Sequence, residues 1–267
     1  MYRLVFCDLD GTLATFDEEV KPAVRQAMQA VVDAGAWITI STGRGFQLVK
    51  PLLGKVVINA PLICCNGGLI VEPSTRRVLQ VQPTPLPLAH DLARLAQEEG
   101  IEMWFYLDDM ETMLKNGGGA RTFVLRRGSV TLRHSSDPIA ELTAPPHKVL
   151  IVSQSPQATP ALAARLERHV GERARVVTSG PYWVEVIVPG VSKAGAMAWV
   201  ARHLGVERDE TLAIVDGDND VEMLEWTALS IAMGNATPAA KAAADWIAPS
   251  VEEDGAAVAL QRYLLSR

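Results

Sequence analysis

Apolar residues in this chain come in short, dense runs, and the residues around each run indicate what it becomes. Leu4–Cys7 is a short apolar run ending in acids, and Trp37–Ile40 and 212–215 share its design of a largely apolar run that leads into polar residues. Such runs read as strands buried on both faces and ending in polar residues, and three of them imply a parallel sheet. Between the first two, 21–34 sets Val24, Met28, Val31 and Val32 at helical spacing and stops at Gly35, a common helix end. This is a βαβ unit.

Past Val71 the pattern changes. Pro83, Pro85 and Pro87 cannot continue a central strand and mark a boundary. Beyond them the spacing predicts a helix over 88–99, strands over 102–107 and 111–114, a Gly117-Gly118-Gly119 loop and a strand over 148–153. A helix over Thr159–Val170 and strands over 175–178 and 183–188 complete an α+β order. Helical spacing returns from Ser192 (Ala196, Trp199, Val200, His203), followed by the 212–215 strand and a helix over Val221–Trp226. The architecture expected is a discontinuous α/β core, residues 1–82 and 188–267, with an α+β domain inserted at 83–187.

A length of 267 residues with 48% hydrophobic positions suits two domains. The 31 acidic against 25 basic residues give a net charge of −6, which opposes the phosphate-backbone contacts of nucleic-acid binding. A small phosphorylated partner stays compatible, because a metal ion or local dipoles can override so modest a charge. The most apolar later stretch, 56–71, is broken by Asn59, Pro61 and Asn66-Gly67-Gly68, short of the ~20 residues that span a bilayer. The first residues lack the apolar core of a secretory signal. The expectation is a soluble, cytoplasmic protein with neither membrane nor nucleic-acid partners. Cys7, Cys64 and Cys65 show no metal-ligand spacing, and the five histidines no paired motif.

Candidate chemistry begins where the first strand ends, at Asp8-Leu9-Asp10-Gly11-Thr12. Ligands of open α/β sheets bind at the carboxyl ends of strands. Two neighbouring carboxylates can hold a hard cation, or divide nucleophile and acid/base duties. Asp-Gly alone is a common turn, but the full pattern arises by chance on the order of once in a few hundred chains of this length.

With three further segments the chain resembles the haloacid dehalogenase superfamily. Ser41-Thr42-Gly43-Arg44 is similar to its second motif, Val191-Ser192-Lys193 to its third, and Asp216-Gly217-Asp218-Asn219-Asp220 to its acidic fourth. The long insert and Asn66-Gly67-Gly68 make the likeness strongest to the Cof-like branch, type IIB, which carries an α+β cap. Val215 departs from it, standing where the branch usually has glycine. The resemblance implies a Rossmann-like core and a magnesium-dependent phosphatase acting on small phosphomonoesters such as sugar phosphates.

Physical chemistry supplies the same roles. A phosphate monoester is dianionic, so an anionic nucleophile needs neutralising cations, here Mg2+ and Lys193. Asp8, the Asp10 carbonyl and Asp216 would be the protein ligands, with Asp220 orienting metal-bound water. Asp8 would attack phosphorus, and Asp10 would protonate the leaving oxygen and then activate water. Thr42 Oγ, the Gly43 amide and Asn219 would hold the transferring oxygens. Asn66 and Gly67 read as a turn on residue types, and the resemblance makes them a phosphate or substrate contact. Arg44 either binds substrate or pairs with an acid. Trp104-Phe105-Tyr106 reads as strand packing, and Trp183 and Glu185 face either a cleft or only their sheet. The alternatives are a phosphotransferase or mutase on the same scaffold, or a non-catalytic phosphate-sensing module, against which Asp10 and the insert argue.

Overall fold

A computed structural model of the chain describes residues 2–15, 17, 19–108, 110, 112–116 and 131–265. Its strands in chain order are β1 (Leu4–Cys7), β2 (Trp37–Ile40), β3 (Leu62–Cys64), β4 (Leu69–Val71), β5 (Val78–Val81), β6 (Glu102–Tyr106) and β7 (Thr112–Asn116). They continue with β8 (Thr131–His134), β9 (Lys148–Val152), β10 (Arg175–Gly180), β11 (Trp183–Ile187), β12 (Thr211–Val215), β13 (Leu229–Ala232) and β14 (Trp246–Ile247). The main helices are α1 (Pro22–Asp33), α2 (Leu86–Glu99), α3 (Thr159–Val170), α4 (Lys193–Leu204) and α5 (Val221–Trp226). The chain forms two compact units: Met1–Thr42, Leu52–Leu79 and Ser192–Arg267 make one, Gly43–Pro51 and Gln80–Val191 the other.

The first unit holds a parallel sheet in the order β14-β13-β12-β1-β2. β1 and β12 are buried at every position, which is why their apolar runs are unbroken instead of alternating. β1 pairs with β2 on one side and β12 on the other, Cys7 lying opposite both Ile40 and Ile214. The chain therefore leaves β1 in one direction and returns as β12 in the other, and the carboxyl ends of these two strands bracket the switch point where α/β proteins bind ligands. α1 starts on Pro22, whose missing amide hydrogen is harmless in a first turn, and buries Val24, Ala27, Met28 and Val31. β3 and β4 form a hairpin, Leu62 opposite Val71 and Cys64 opposite Leu69, and a bridge between Ser41 and Ile63 sets it beside the end of β2.

The second unit is a sheet in the order β10-β11-β9-β6-β7-β8, antiparallel in its recorded pairs except for the parallel β7–β8 pair. Successive side chains alternate across it. Met103, Phe105, Leu114, Val149, Ile151, Val184 and Val186 pack with Leu92 of α2 and Leu166 of α3. Trp104, Tyr106, Met113, Leu150 and Val152 face the other way and pack with Leu48. The aromatic run 104–106 is thus split between two faces and wholly buried. The expected Gly117-Gly118-Gly119 loop lies outside the described residues. Among those residues no helix is long and apolar enough to cross a membrane.

Candidate active site

Asp8 is the first residue past β1 and Asp216 the first past β12, so the parallel pairing that aligns Cys7 with Ile214 also brings the two acids together. The Asp8 amide continues the ladder, donating to the Ile214 carbonyl at 2.9 Å. Leu9 is fully buried between the acids of the first motif, and the chain then turns tightly, the Gly11 amide donating to the Ala14 carbonyl at 2.8 Å. Gly11 has φ 76°, and any side chain there would collide with the Asp216 carboxylate. Glycine is needed both for the conformation and for the close approach.

Lys193 is the first residue of α4, whose start is capped by the Ser192 hydroxyl accepting from the Gly195 amide at 2.9 Å. Its side chain is wholly buried and donates to Asp8 Oδ1 at 2.7 Å, to the Ser41 carbonyl at 3.1 Å and to Asp220 Oδ1. Its backbone amide donates to Glu222 Oε1 at 2.7 Å. Asp220 Oδ2 accepts from the Gly217 amide at 3.1 Å, and Asp216 Oδ1 from the Thr12 hydroxyl at 3.1 Å.

Carboxylate oxygens of Asp8, Asp216 and Asp220 lie within 4.8 Å of one another. Burial, then the Asp220 charge, pushes Asp8 well above the usual carboxylate range, with Asp216 and Asp10 adding to the push and Lys193 opposing it. Burial, then Asp220, likewise pushes Asp216 up to about 7, against the Thr12 hydrogen bond and Lys193. Burial works against the Lys193 charge, yet Asp220 and Asp8 outweigh it and hold the ammonium above its ordinary value. Among the described residues one buried cation thus pairs with two of three clustered acids, and acids outnumber cations in the cluster. An all-oxygen donor set with surplus charge fits a hard divalent cation such as Mg2+.

Thr42 is buried at the end of β2; its amide donates to the Ile63 carbonyl at 2.9 Å and its carbonyl accepts from the Asn66 amide at 3.1 Å. Asn66 (φ 53°) and Gly67 (φ 98°) shape the β3–β4 turn, and a side chain at Gly67 would strike the Ser192 carbonyl. Asn219 Nδ2 donates to Asn66 Oδ1 at 3.4 Å, joining the fourth motif to that turn. Asp10 is half-buried and adds repulsion at both Asp8 and Asp216. The first unit therefore brings together Asp8, Asp10, Thr42, Asn66, Gly67, Lys193, Asp216, Asn219 and Asp220. Gly43 follows Thr42 in the chain but packs with the second unit, as does Arg44, which is buried and donates to the Leu48 carbonyl at 3.3 Å.

Three contributors escaped the sequence reading. Thr12 lay inside the first motif but had no assigned partner. Glu222 sits two residues past Asp220. Asn235 Nδ2 donates to the Gly11 carbonyl at 2.8 Å and to Asp216 Oδ2 at 3.4 Å, while its Oδ1 accepts from the Val251 amide at 2.8 Å. Only the tertiary fold reveals the last two.

The first unit thus sets clustered acids and a buried lysine at the switch point of a Rossmann-like sheet. The chain belongs to the haloacid dehalogenase-like hydrolases, matching that family over residues 5–260, and is a phosphatase of the Cof-like branch. It is 28% identical over 256 residues to the HMP-PP phosphatase of Serratia proteamaculans, covering 90% of this chain and 87% of that one. It is 25% identical over 272 residues to the pyridoxal phosphate phosphatase YbhA of Escherichia coli, covering 98% and 99%. A solved haloacid dehalogenase-like hydrolase from Bacteroides thetaiotaomicron superposes with a TM-score of 0.88 at 25% identity, covering 98% and 99%.

Proposed function

We propose that this protein is a magnesium-dependent phosphatase that hydrolyses small phosphomonoesters, sugar phosphates among them, through an aspartyl phosphate on Asp8. The observation that carries this reading is the buried Lys193 ammonium held between Asp8 and Asp220, 2.7 Å from Asp8 Oδ1. That grip fixes one oxygen of the nucleophile and keeps positive charge where a phosphate dianion must approach.

In this reading Asp8 Oδ bonds to phosphorus while Asp10 gives a proton to the departing oxygen. Asp10 then takes a proton from the water that attacks the aspartyl phosphate, which restores Asp8 and frees phosphate. Thr42 Oγ, the Gly43 amide and Asn219 hold the transferring oxygens, with Asn66 and Gly67 beside them. Asp8, the Asp10 carbonyl and Asp216 would hold Mg2+, Asp220 acting through water, and the ion would supply charge that Lys193 alone cannot. Asp8 must be ionised to attack, and burial and the neighbouring Asp220 carboxylate oppose that, so a second cation beside Lys193 would favour the attacking form. Residues 83–187 contain none of these groups, and we assign to them the choice of leaving group. Relatives of similar identity act on different phosphates, which fits a shared chemistry with separate selection.

The test is phosphate release across a panel of phosphorylated metabolites, with magnesium and with excess chelator. Magnesium-dependent release that disappears in Asp8→Asn is the expected result. Full turnover in chelator would sink the reading.

A further inference from the structure

The chemistry above makes no use of two buried lysine–glutamate pairs in the second unit. One of them reaches the backbone of the second motif. Lys148 Nζ lies 2.8 Å from Glu185 Oε1, with both side chains at most 7% exposed, and donates to the Gly43 carbonyl at 2.5 Å. Glu185 in turn accepts from the Ser179 hydroxyl at 2.5 Å, and the ammonium sits 5.6 Å from the centre of the Tyr106 ring. The rest of the Gly43–Pro51 segment is anchored in the same unit. Gln47 Nε2 donates to the Leu107 and Thr112 carbonyls at 3.4 Å each, and Leu48 joins the apolar cluster of Trp104, Tyr106 and Leu150.

From these contacts we propose that Lys148, steadied by Glu185, is a positioning residue for the phosphate-binding peptide: by gripping the Gly43 carbonyl it sets the direction of the Gly43 amide. The inference rests on the reading of that amide as a phosphate donor. Glycine lacks a Cβ, so nothing within residue 43 chooses its φ and ψ. The choice falls to the two peptide planes that flank it. On one side the Thr42 carbonyl accepts from the Asn66 amide at 3.1 Å, and in a trans peptide the Gly43 N–H points the opposite way. On the other side the Gly43 carbonyl is held by Lys148 through a buried, charge-assisted bond, stronger than a neutral one. With both planes held, the amide is set before phosphate arrives. A buried ion pair gains little over two apolar side chains in stability alone. The grip on Gly43 is what an apolar pair could not provide.

The deciding variant is the full-length Lys148→Met/Glu185→Gln protein, which removes the ammonium without stranding a buried carboxylate and leaves Ser179 an acceptor. Inorganic phosphate is the probe, its inhibition constant measured with magnesium present against hydrolysis of a small aryl phosphate. The expected result is phosphate binding weakened roughly tenfold or more, with kcat/KM falling by a similar factor whatever the leaving group, and a melting temperature close to the parent's. Lys148→Arg, which keeps the charge but moves the donor, should fall between the two. If the double variant does not fold, Lys148→Arg decides by the same measurement. Phosphate affinity within about twofold of the parent in the deciding variant would overturn the proposal, as would a loss confined to bulky leaving groups, which marks a substrate contact instead. A parent protein that neither binds phosphate nor depends on Asp8 would remove the phosphatase reading, and this inference with it.

Discussion

The two units bury charge in opposite ways. At the sheet ends of the first, Asp8, Asp216 and Asp220 cluster together, Lys193 being the one cation among the described residues that pairs with Asp8 and Asp220, and burial with mutual repulsion pushes Asp8 and Asp216 up. On one face of the second unit's sheet the charges are matched: Lys115 lies 2.7 Å from Glu102, and Lys148 lies 2.8 Å from Glu185. An unmatched cluster is unstable by itself and is retained where a ligand completes it. In a matched pair the charges already offset one another, so its worth lies in what it holds in place. Substitutions that change the charge count should therefore act on chemistry in the first unit and on stability or positioning in the second.

Asp8→Asn tests the unmatched side with the largest effect. The amide keeps the shape and removes one negative charge, so the protein should fold at least as stably as the parent while turnover falls roughly 10⁴-fold or more. Steady-state phosphate release together with a denaturation curve checks both halves. Near-parental turnover would end the covalent mechanism.

The matched side is broken by Lys115→Met. Lys115 is wholly buried 5.3 Å from the centre of the Trp104 ring, and Glu102 also accepts from Trp104 Nε1 at 2.8 Å. Leaving the Glu102 charge without its partner should lower stability by about 3–5 kcal/mol, whereas Lys115→Met/Glu102→Gln should return to within ~1 kcal/mol of the parent. Urea denaturation of the three proteins decides. A single variant as stable as the double would show that this pair is not a closed unit of charge.

Surplus charge also makes the first unit sensitive to pH. Asp216 is pushed up to about 7, above the unfolded value of about 3.9, so the ion-free folded protein holds this proton more tightly than the unfolded chain does. That contribution to stability is present below about pH 4 and is lost as the pH rises through about 7. In chelator, stability should fall by on the order of a few kcal/mol between about pH 5 and pH 8. Magnesium, which needs the deprotonated acids, should restore it most at the higher pH. Equal magnesium-induced shifts in melting temperature at both pH values would separate Asp216 from the ion.

What could be read from the sequence, and what could not, follows the same division. β1 was readable to the residue because a strand buried on both faces is an unbroken apolar run, β2 because its mostly apolar run is broken by Thr39 alone, and the acids past β1 and β12 because their place is fixed by the strand ends. β8, reading Thr-Leu-Arg-His, carries no such run, and its parallel pairing with β7 is a tertiary fact. β14 has only two residues. The partnership of Lys148 with Glu185 and Gly43 spans 37 and 105 residues, and the residue types alone do not choose it from the other lysine–acid pairs in the chain. Motif spacing reports groups that share a strand end, while contacts between distant side chains wait on the fold.

The smallest effect belongs to Asn235, which links three loops of the first unit without adding charge. Its amide nitrogen donates to the Gly11 carbonyl at 2.8 Å and more weakly to Asp216 Oδ2 at 3.4 Å, and its oxygen accepts from the Val251 amide at 2.8 Å. The residue is exposed, so water can replace much of what Asn235→Ala removes, and overall stability should change by less than about 1 kcal/mol. Orientation is harder to replace. Gly11 carries the turn that sets Asp10, and Asp216 is one of the proposed magnesium ligands. Groups that hold ligands from behind typically matter about tenfold or more in metal affinity, or roughly 1.4 kcal/mol and upward. Asn235→Ala should therefore raise the magnesium concentration for half-maximal thermal stabilisation by about that factor while leaving the ion-free melting curve nearly unchanged. Asn235→Asp, which keeps the acceptor for Val251 but sets a further negative charge beside Asp216, should lower the ion-free stability instead and steepen its loss at high pH. If both variants bound magnesium within about twofold of the parent, Asn235 would be a tie between loops and nothing more, and the comparison between the units would rest on the charged residues alone.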